Sequence, residues 1–396
     1  MRRGAWHQFG DRSQKLVVEQ LQSGAGVGVV ISVRDLSRDN AIGYAQVYRS
    51  HGAEVLLDHQ FYNPEFSNRF LQTYPISTYR AGISQLTQIS DSDLAGLASE
   101  LRIDHQDFMG NGLIAPAVTY EAARQDIIDL NKRLFGVAKQ VGDELGIPTY
   151  ATIMLGRSVT SSIQTINTLL SQATSLDSDG WYYGFEFNQG RIPYAKDDVY
   201  RCCVAGLTLA GTGKPILHAY AGPMALLSLG FGATGAGIGH SQNLWQFTRG
   251  RWDTTTRGGG GDAPPRFFSR TLWGTIIYPD ETSLLPSALL SQVLTQSPFS
   301  TPTATNGLWS RWDANKHLVN IICSTVADIA TDTNPRNNAQ EAIQILDGAV
   351  ALHNAIDSAG LKLRDDTNVY QGNWADAMRD LINNQGDDYD YLDLLS

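Results

Sequence analysis

Short apolar runs that stop abruptly in polar side chains recur along this sequence, and the residues at those stops are the ones able to do chemistry. Residues 55–62 (VLLDHQFY) carry Asp58, Gln60 and Tyr62. Residues 24–33 lead to Arg34 and Asp35, and residues 149–155 (TYATIML) lead to Arg157 and Ser158. Residues 181–187 (WYYGFEF) end in Glu186, with Asn188 beyond. His218 and Tyr220 lie in the run 216–221, while His240, Ser241, Gln242 and Trp245 follow the glycine-rich run 232–239 (GATGAGIG). Arg266, Ser269, Arg270 and Trp273 belong to 266–277. Two carboxylates facing each other across an aromatic, amide-rich mouth can accept the paired N–H donors of a guanidine-like base edge, while Tyr62 or Trp245 stacks on its face. Asp58 and Glu186 are the pair for this role. The competing reading is a salt bridge from each to Arg34 or Arg157, which perturbs titration without function. His240, next to Ser-Gln-Asn, is the candidate acid or base. His218, on an apolar strand, reads more simply as a core histidine. Arg157, His218, Tyr220, Gln242 and Arg270 complete the candidate substrate-binding set.

Other chemistries are excluded by spacing. Cys202, Cys203 and Cys323 form no CxxC pair and no metal-spaced cluster, so no metal and no cofactor are expected. GTGK at 211–214 lacks the spacing and the following Ser/Thr of a phosphate-binding loop and reads as a turn. The cysteine usage fits a reducing cytoplasm, and neither a signal peptide nor a run of about 18 apolar residues is present.

The elements that must position these residues alternate. Strand-like runs fall at 24–33, 54–62, 112–118, 149–155, 181–187, 216–221, 232–239 and 266–277, with helical periodicity between them, clearest over 119–145. Ser90 reads as an N-cap for the helix that follows. Eight such units predict an α/β fold, a (β/α)8 TIM barrel, with an open doubly wound sheet as the alternative. The glycines of 232–239 predict close approach to their backbone, by a packed neighbour or by a ligand. Gly258–Gly261 predicts a mobile loop or lid hinge over 250–264. After residue 279 strand signals give way to helices at 285–294, 317–330, 338–359 and 373–383. The expected division is a barrel over 1–280 and a helical C-terminal extension with an acidic tail over 281–396.

With 396 residues, 42% of them hydrophobic, the chain can bury a large core. Its net charge of −10, from 40 acidic and 30 basic residues, argues against a broad phosphate-binding surface. The C-terminal extension is the expected protein-docking surface.

DSDGWYYGFEF (177–187) followed by GKPILHAYAGPMALLSLGFGATGAGIG (213–239) resembles the tRNA-guanine transglycosylase superfamily. VLLDHQFY looks like that family's strand carrying an Asp for the deazaguanine edge and a stacking aromatic. The likeness runs in order through 25–278 and is specific over 177–239. It implies a barrel that binds a 7-deazaguanine-type base, free or on a macromolecule. It also implies a setting in a bacterial antiphage-defence or modification pathway, where transglycosylase-like proteins accompany deazaguanine synthesis. Two departures limit it. The family's nucleophilic Asp falls on Gly237, and its zinc-binding Cys/His cluster is missing, so base exchange in tRNA is not expected. A catalytically silent barrel serving as a scaffold is the alternative.

Overall fold

A computed structural model describes residues 1–188, 192–252, 264–300, 309–364 and 368–395. Eight parallel strands close into a barrel: β1 (Gly4–Gln8), β2 (Gly28–Ser32), β3 (Glu54–Asp58), β4 (Leu113–Ile114), β5 (Thr149–Leu155), β6 (Gly180–Phe185), β7 (Ile216–His218) and β8 (Gly235–Ile238). The circle is shut by β1 pairing with both β2 and β8. This is the (β/α)8 TIM barrel expected from the alternation, reached through a different first strand.

The polar-looking lead GAWHQ supplies β1, while the run 266–277 lies outside the barrel. That run folds back as an antiparallel hairpin, β9 (Arg266–Ser269) with β10 (Gly274–Ile277). β1 looks polar as a sequence, but its His and Gln are buried by the barrel itself. The His7 ring bonds the Ala25 carbonyl at 2.9 Å, and Gln8 turns into the barrel beside Tyr182.

Trp6 fills the lower interior and explains the glycine strand. A Cβ on Gly28 would stand 2.4 Å from the Trp6 indole and one on Gly235 2.7 Å from it. The two strands flanking β1 are thus kept bare where its one large side chain lies. Gly237 is closed in similarly: a Cβ there would meet Gln8 Oε1 at 2.9 Å, the Tyr220 amide nitrogen at 3.1 Å and the His218 carbonyl at 3.3 Å.

The outer ring follows from periodicity and caps. Ser90 Oγ accepts the Asp93 amide at 3.1 Å and starts the helix Asp91–Phe108. Gln125–Leu145 buries Ile127, Leu134, Val141 and their neighbours along one stripe, then ends at Gly146 in the left-handed conformation. Beyond β7 the covering helix shrinks to the single turn Ala225–Ser228, and C-terminal helices make up the loss. Arg311–Ile329 lies against β1, β8 and the first outer helix, Gln14–Gln22. There Asn320 Nδ2 donates to Gln20 Oε1 at 3.1 Å and Lys316 pairs with Glu19 at 2.6 Å. Pro335–Ser358 packs over the β7–β8 connection, Asn368–Asn384 packs against Pro335–Ser358 and against the helix Lys196–Ala210 that joins β6 to β7, and the Tyr389 hydroxyl of Gly386–Leu395 donates to the Gly230 carbonyl at 2.7 Å. The four-glycine run 258–261, and most of the predicted loop 250–264, lie outside the described residues. Among the described residues, no helix is long and apolar enough to cross a membrane.

Because Trp6 is fully enclosed, Trp6→Ala should cost ~3–5 kcal/mol of stability through the cavity it leaves. Urea unfolding checks this, and a loss under ~1 kcal/mol would mean that the barrel interior collapses onto the vacancy.

Candidate functional site

Asp58 ends β3 opposite Ser32, and its side chain points into the barrel at the C-terminal mouth, fully buried. Burial disfavours a charge, so the fold surrounds this one with donors. Tyr62 Oη donates to Oδ1 at 2.7 Å and the Gln60 amide to the same oxygen at 3.0 Å. Tyr182 Oη donates to Oδ2 at 3.1 Å, and Gln60 Nε2 lies 3.3 Å from it. Burial pushes the Asp58 carboxyl up from its ordinary range, and these bonds pull it back. The phenols of Tyr62, Tyr182 and Tyr220 are pushed well above theirs, by burial first and then by Asp58.

Two residues of this cluster are held in unusual backbone conformations. Gln60 (φ 52°) and Tyr220 (φ 54°) both adopt the left-handed region that side chains other than glycine disfavour. Their side chains meet, Gln60 Nε2 donating to Tyr220 Oη at 2.9 Å. Arg80 braces the first bend, donating through Nη2 to the carbonyls of His59 and Gln60 while its guanidinium lies 4.5 Å from the Phe61 ring centroid. Strain of this kind persists only where surroundings over-determine it, and it collects at working sites.

The segment after β8 closes the mouth. Trp252 and Phe247 are each about 1% exposed. The Trp252 indole stands edge-on to Tyr62 with centroids 5.0 Å apart and to Tyr220 at 6.2 Å, and its Nε1–H donates to Gln60 Oε1 at 3.3 Å. Asn63 Nδ2 donates to the Trp252 carbonyl at 3.2 Å. Arg251 pairs with Asp35 at 2.6 Å and lies over the Tyr220 and Trp252 rings. An aromatic box floored by a carboxylate is the result, with a tryptophan seated in it.

The remaining sequence-predicted residues fall in different places. Glu186 sits on the rim, where its oxygens accept the Arg157 and Arg249 amides at 3.3 and 3.2 Å, and Arg157 Nη2 approaches at 3.7 Å. Burial pushes its carboxyl up. It ties the 249–252 segment to the loop after β5, and its bonds go to these arginines, not to the Asp58 cluster. His218 faces outward, its Nδ1 2.8 Å from Ser228 Oγ and its ring stacked on Tyr183. His240 packs edge-on to Trp312, with Nδ1 buried and without a hydrogen-bond partner. Trp245 bonds the Gly239 carbonyl and packs on Gly222, and Gln242 opens the 3-10 turn before it. Arg270 is drawn away to Asp328 of the helix Arg311–Ile329 at 2.8 Å.

The structure thus brings Asp58, Gln60, Tyr62 and Tyr220 together and adds Tyr182, Arg80, Phe247, Arg251 and Trp252. Tyr182 carried a readable signal, since alternation in GWYYGF places it inward with its flanking glycines. Trp252 carried none. Among the described residues no group of three His, Cys, Asp or Glu side chains is arranged to hold a metal ion.

The strand pairing makes this chain a (β/α)8 TIM barrel. No protein-family model matches it, and no curated protein matches it. Among solved structures it is similar to a glycerol uptake operon antiterminator-related protein from Thermotoga maritima, with 11% identity and a TM-score of 0.31 over 62% of this chain and 99% of that one. It is also similar to the 3-dehydroquinate dehydratase from Aquifex aeolicus, with 13% identity and a TM-score of 0.37 over 64% of this chain and 95% of that one. Neither likeness bears on activity.

Burial holds His7, His240 and His317 at pKa values of about 4, and His105 and His218 at about 3. The unfolded chain takes up protons on these rings near pH ~6.5, whereas the folded chain does not until far lower. Stability is therefore lost as pH falls below about 6.5. Asp58 and Glu186, pushed upward, act in the opposite sense but are outnumbered. The melting temperature should drop by several degrees between pH 7 and pH 5, and a flat profile there would contradict five neutral imidazoles.

Proposed function

We propose that the mouth of this barrel binds a planar bicyclic base of the 7-deazaguanine type and does not exchange it into nucleic acid. The observation that carries this reading is the Trp252 indole seated edge-on to Tyr62 and Tyr220, with its N–H on Gln60 Oε1, the glutamine that also bonds Asp58. A pyrrolopyrimidine has the outline of an indole and a five-ring N–H in a corresponding place. It adds the amide and amino donors that a carboxylate accepts. Binding then exchanges one bicycle for another: segment 247–252 swings out, and base donors replace tyrosine hydroxyls on Asp58. Tyr62 and Tyr220 supply the walls.

The absence of exchange is supported at Gly237. Its Cβ direction is crowded by Gln8 Oε1 and by the backbone around His218 and Tyr220, so the nucleophilic atoms are missing there and a side chain would have to displace its neighbours. His240, held at about 4 by burial and by Arg251, is a neutral imidazole and a weak base at pH 7. A place in an antiphage-defence or modification pathway, with the C-terminal helices docking a protein partner, rests on the family resemblance and on the acidic tail.

A silent scaffold is the second reading, favoured by one specific observation: Asp58 is already fully satisfied and Trp252 already fills the box. Calorimetry with 7-cyano- and 7-amido-7-deazaguanine separates the two. Asp58→Asn should weaken binding at least about tenfold, or ~1.4 kcal/mol. Trp252→Ala should strengthen it by removing the competing indole. Equal affinity in Asp58→Asn would place the base elsewhere. No binding by wild type or by Trp252→Ala would leave the scaffold ahead. Guanine exchange into tRNA is expected to be undetectable, and its detection would overturn the reading of Gly237.

A further inference from the structure

Beside the mouth, the long connection between β3 and the helix Asp91–Phe108 folds around a cavity of about 350 Å3, within the range of small-molecule sites. Arg80, Gln72, Ser67 and Ser77 are among its lining residues, with Glu65 also in its wall. Arg80 is the anomaly here. Its Nη2 donates to two backbone carbonyls, but Nε and Nη1 are buried with no hydrogen-bond partner. The carboxylate that acts on it is Asp58, whose oxygens are already bound by Tyr62, Tyr182 and Gln60. A buried guanidinium without a paired anion is costly to the folded state, and each unpartnered buried donor calls for an explanation.

We propose that this cavity binds the oxyanion of a small phosphate ester, with Arg80 as its counter-charge and Ser67, Ser77 and Gln72 as neutral donors. Three neutral donor side chains beside one guanidinium can meet the three free oxygens of a phosphate ester. The space is larger than an inorganic ion and leaves room for the ester's organic part. Glu65 is the lining group of opposite effect; its carboxylate, in the wall of the same space, repels an entering anion. An anion here acts on the same guanidinium that braces Gln60, and Gln60 in turn bonds Asp58 and Trp252. The proposal stands apart from base binding at the mouth.

Calorimetry of the full chain with inorganic phosphate and with ribose 5-phosphate tests it. Ribose 5-phosphate should bind, and more tightly than inorganic phosphate. Arg80→Gln should lose about tenfold or more in affinity, as expected for removing a charge-assisted bond, and Arg80→Lys should recover part of it. Glu65→Gln leaves the backbone bonds of Arg80 untouched and should strengthen binding severalfold, so it carries the test even if Arg80→Gln does not fold. Absence of binding by both wild type and Glu65→Gln would overturn the site. So would equal affinity in Arg80→Gln, or in Glu65→Gln and wild type. Ribose 5-phosphate binding no more tightly than phosphate would overturn the ester assignment.

Discussion

A carboxylate removed from water must be met by donors, and much of the barrel mouth is arranged to meet one. Asp58 sits where the strands of a TIM barrel converge on their functional face, and leaving it bare there would cost several kcal/mol. Three tyrosines and a glutamine from β3, β6, β7 and their loops converge on it. Satisfying it forces Gln60 and Tyr220 into left-handed backbone, and Arg80 then holds the bend at Gln60. Local conformation at the mouth thus follows from the electrostatic demand of one residue.

The rest of the interior is governed by volume. Trp6 occupies space that β2 and β8 would otherwise fill with side chains, and Gly28 and Gly235 are the complement of its indole. The same sparseness continues upward to Gly237, where Gln8 and the β7 backbone close in. A family resemblance that places a nucleophile at this position therefore meets a steric obstacle as well as a missing carboxylate. On the outside, the single turn Ala225–Ser228 cannot cover the barrel alone, and the apolar core runs on unbroken into the C-terminal helices.

Closure of the mouth ties these layers to function. Trp252 reaches the box through a segment anchored at both levels, by Arg251 to Asp35 and by the Arg249 amide to Glu186. Its indole buries apolar surface against Tyr62, Tyr220 and Phe247, the first two of which shield the carboxylate, giving a stable closed state. Any ligand entering the mouth would have to compete with both. Affinity is then a difference between two occupied states rather than the filling of an empty hole.

Alternation of apolar runs with helical stripes was enough to read a barrel, because side-chain periodicity is a local property that every β/α unit repeats. Asp58, Tyr62 and Tyr220 were legible for the same reason, since each lies at or just past the end of a recognisable strand. The Ser90 cap and the stripe from Ile127 to Val141 are likewise local. β1 was not legible, because GAWHQ looks polar until Ala25 takes the bond of His7 and the barrel takes in Gln8. The run 266–277 misled for the converse reason: its composition suits a strand, but whether a strand joins a parallel barrel or folds on itself is decided by its partner. Trp252, Phe247 and Arg80 became site residues only through contacts that span long stretches of chain, and no spacing in the sequence encodes those. Composition and periodicity determined which elements would form. Which side chains share one dry pocket was decided by closure of the barrel, because only closure brings side chains of β1 and β3 within hydrogen-bonding reach of β6 on the far side.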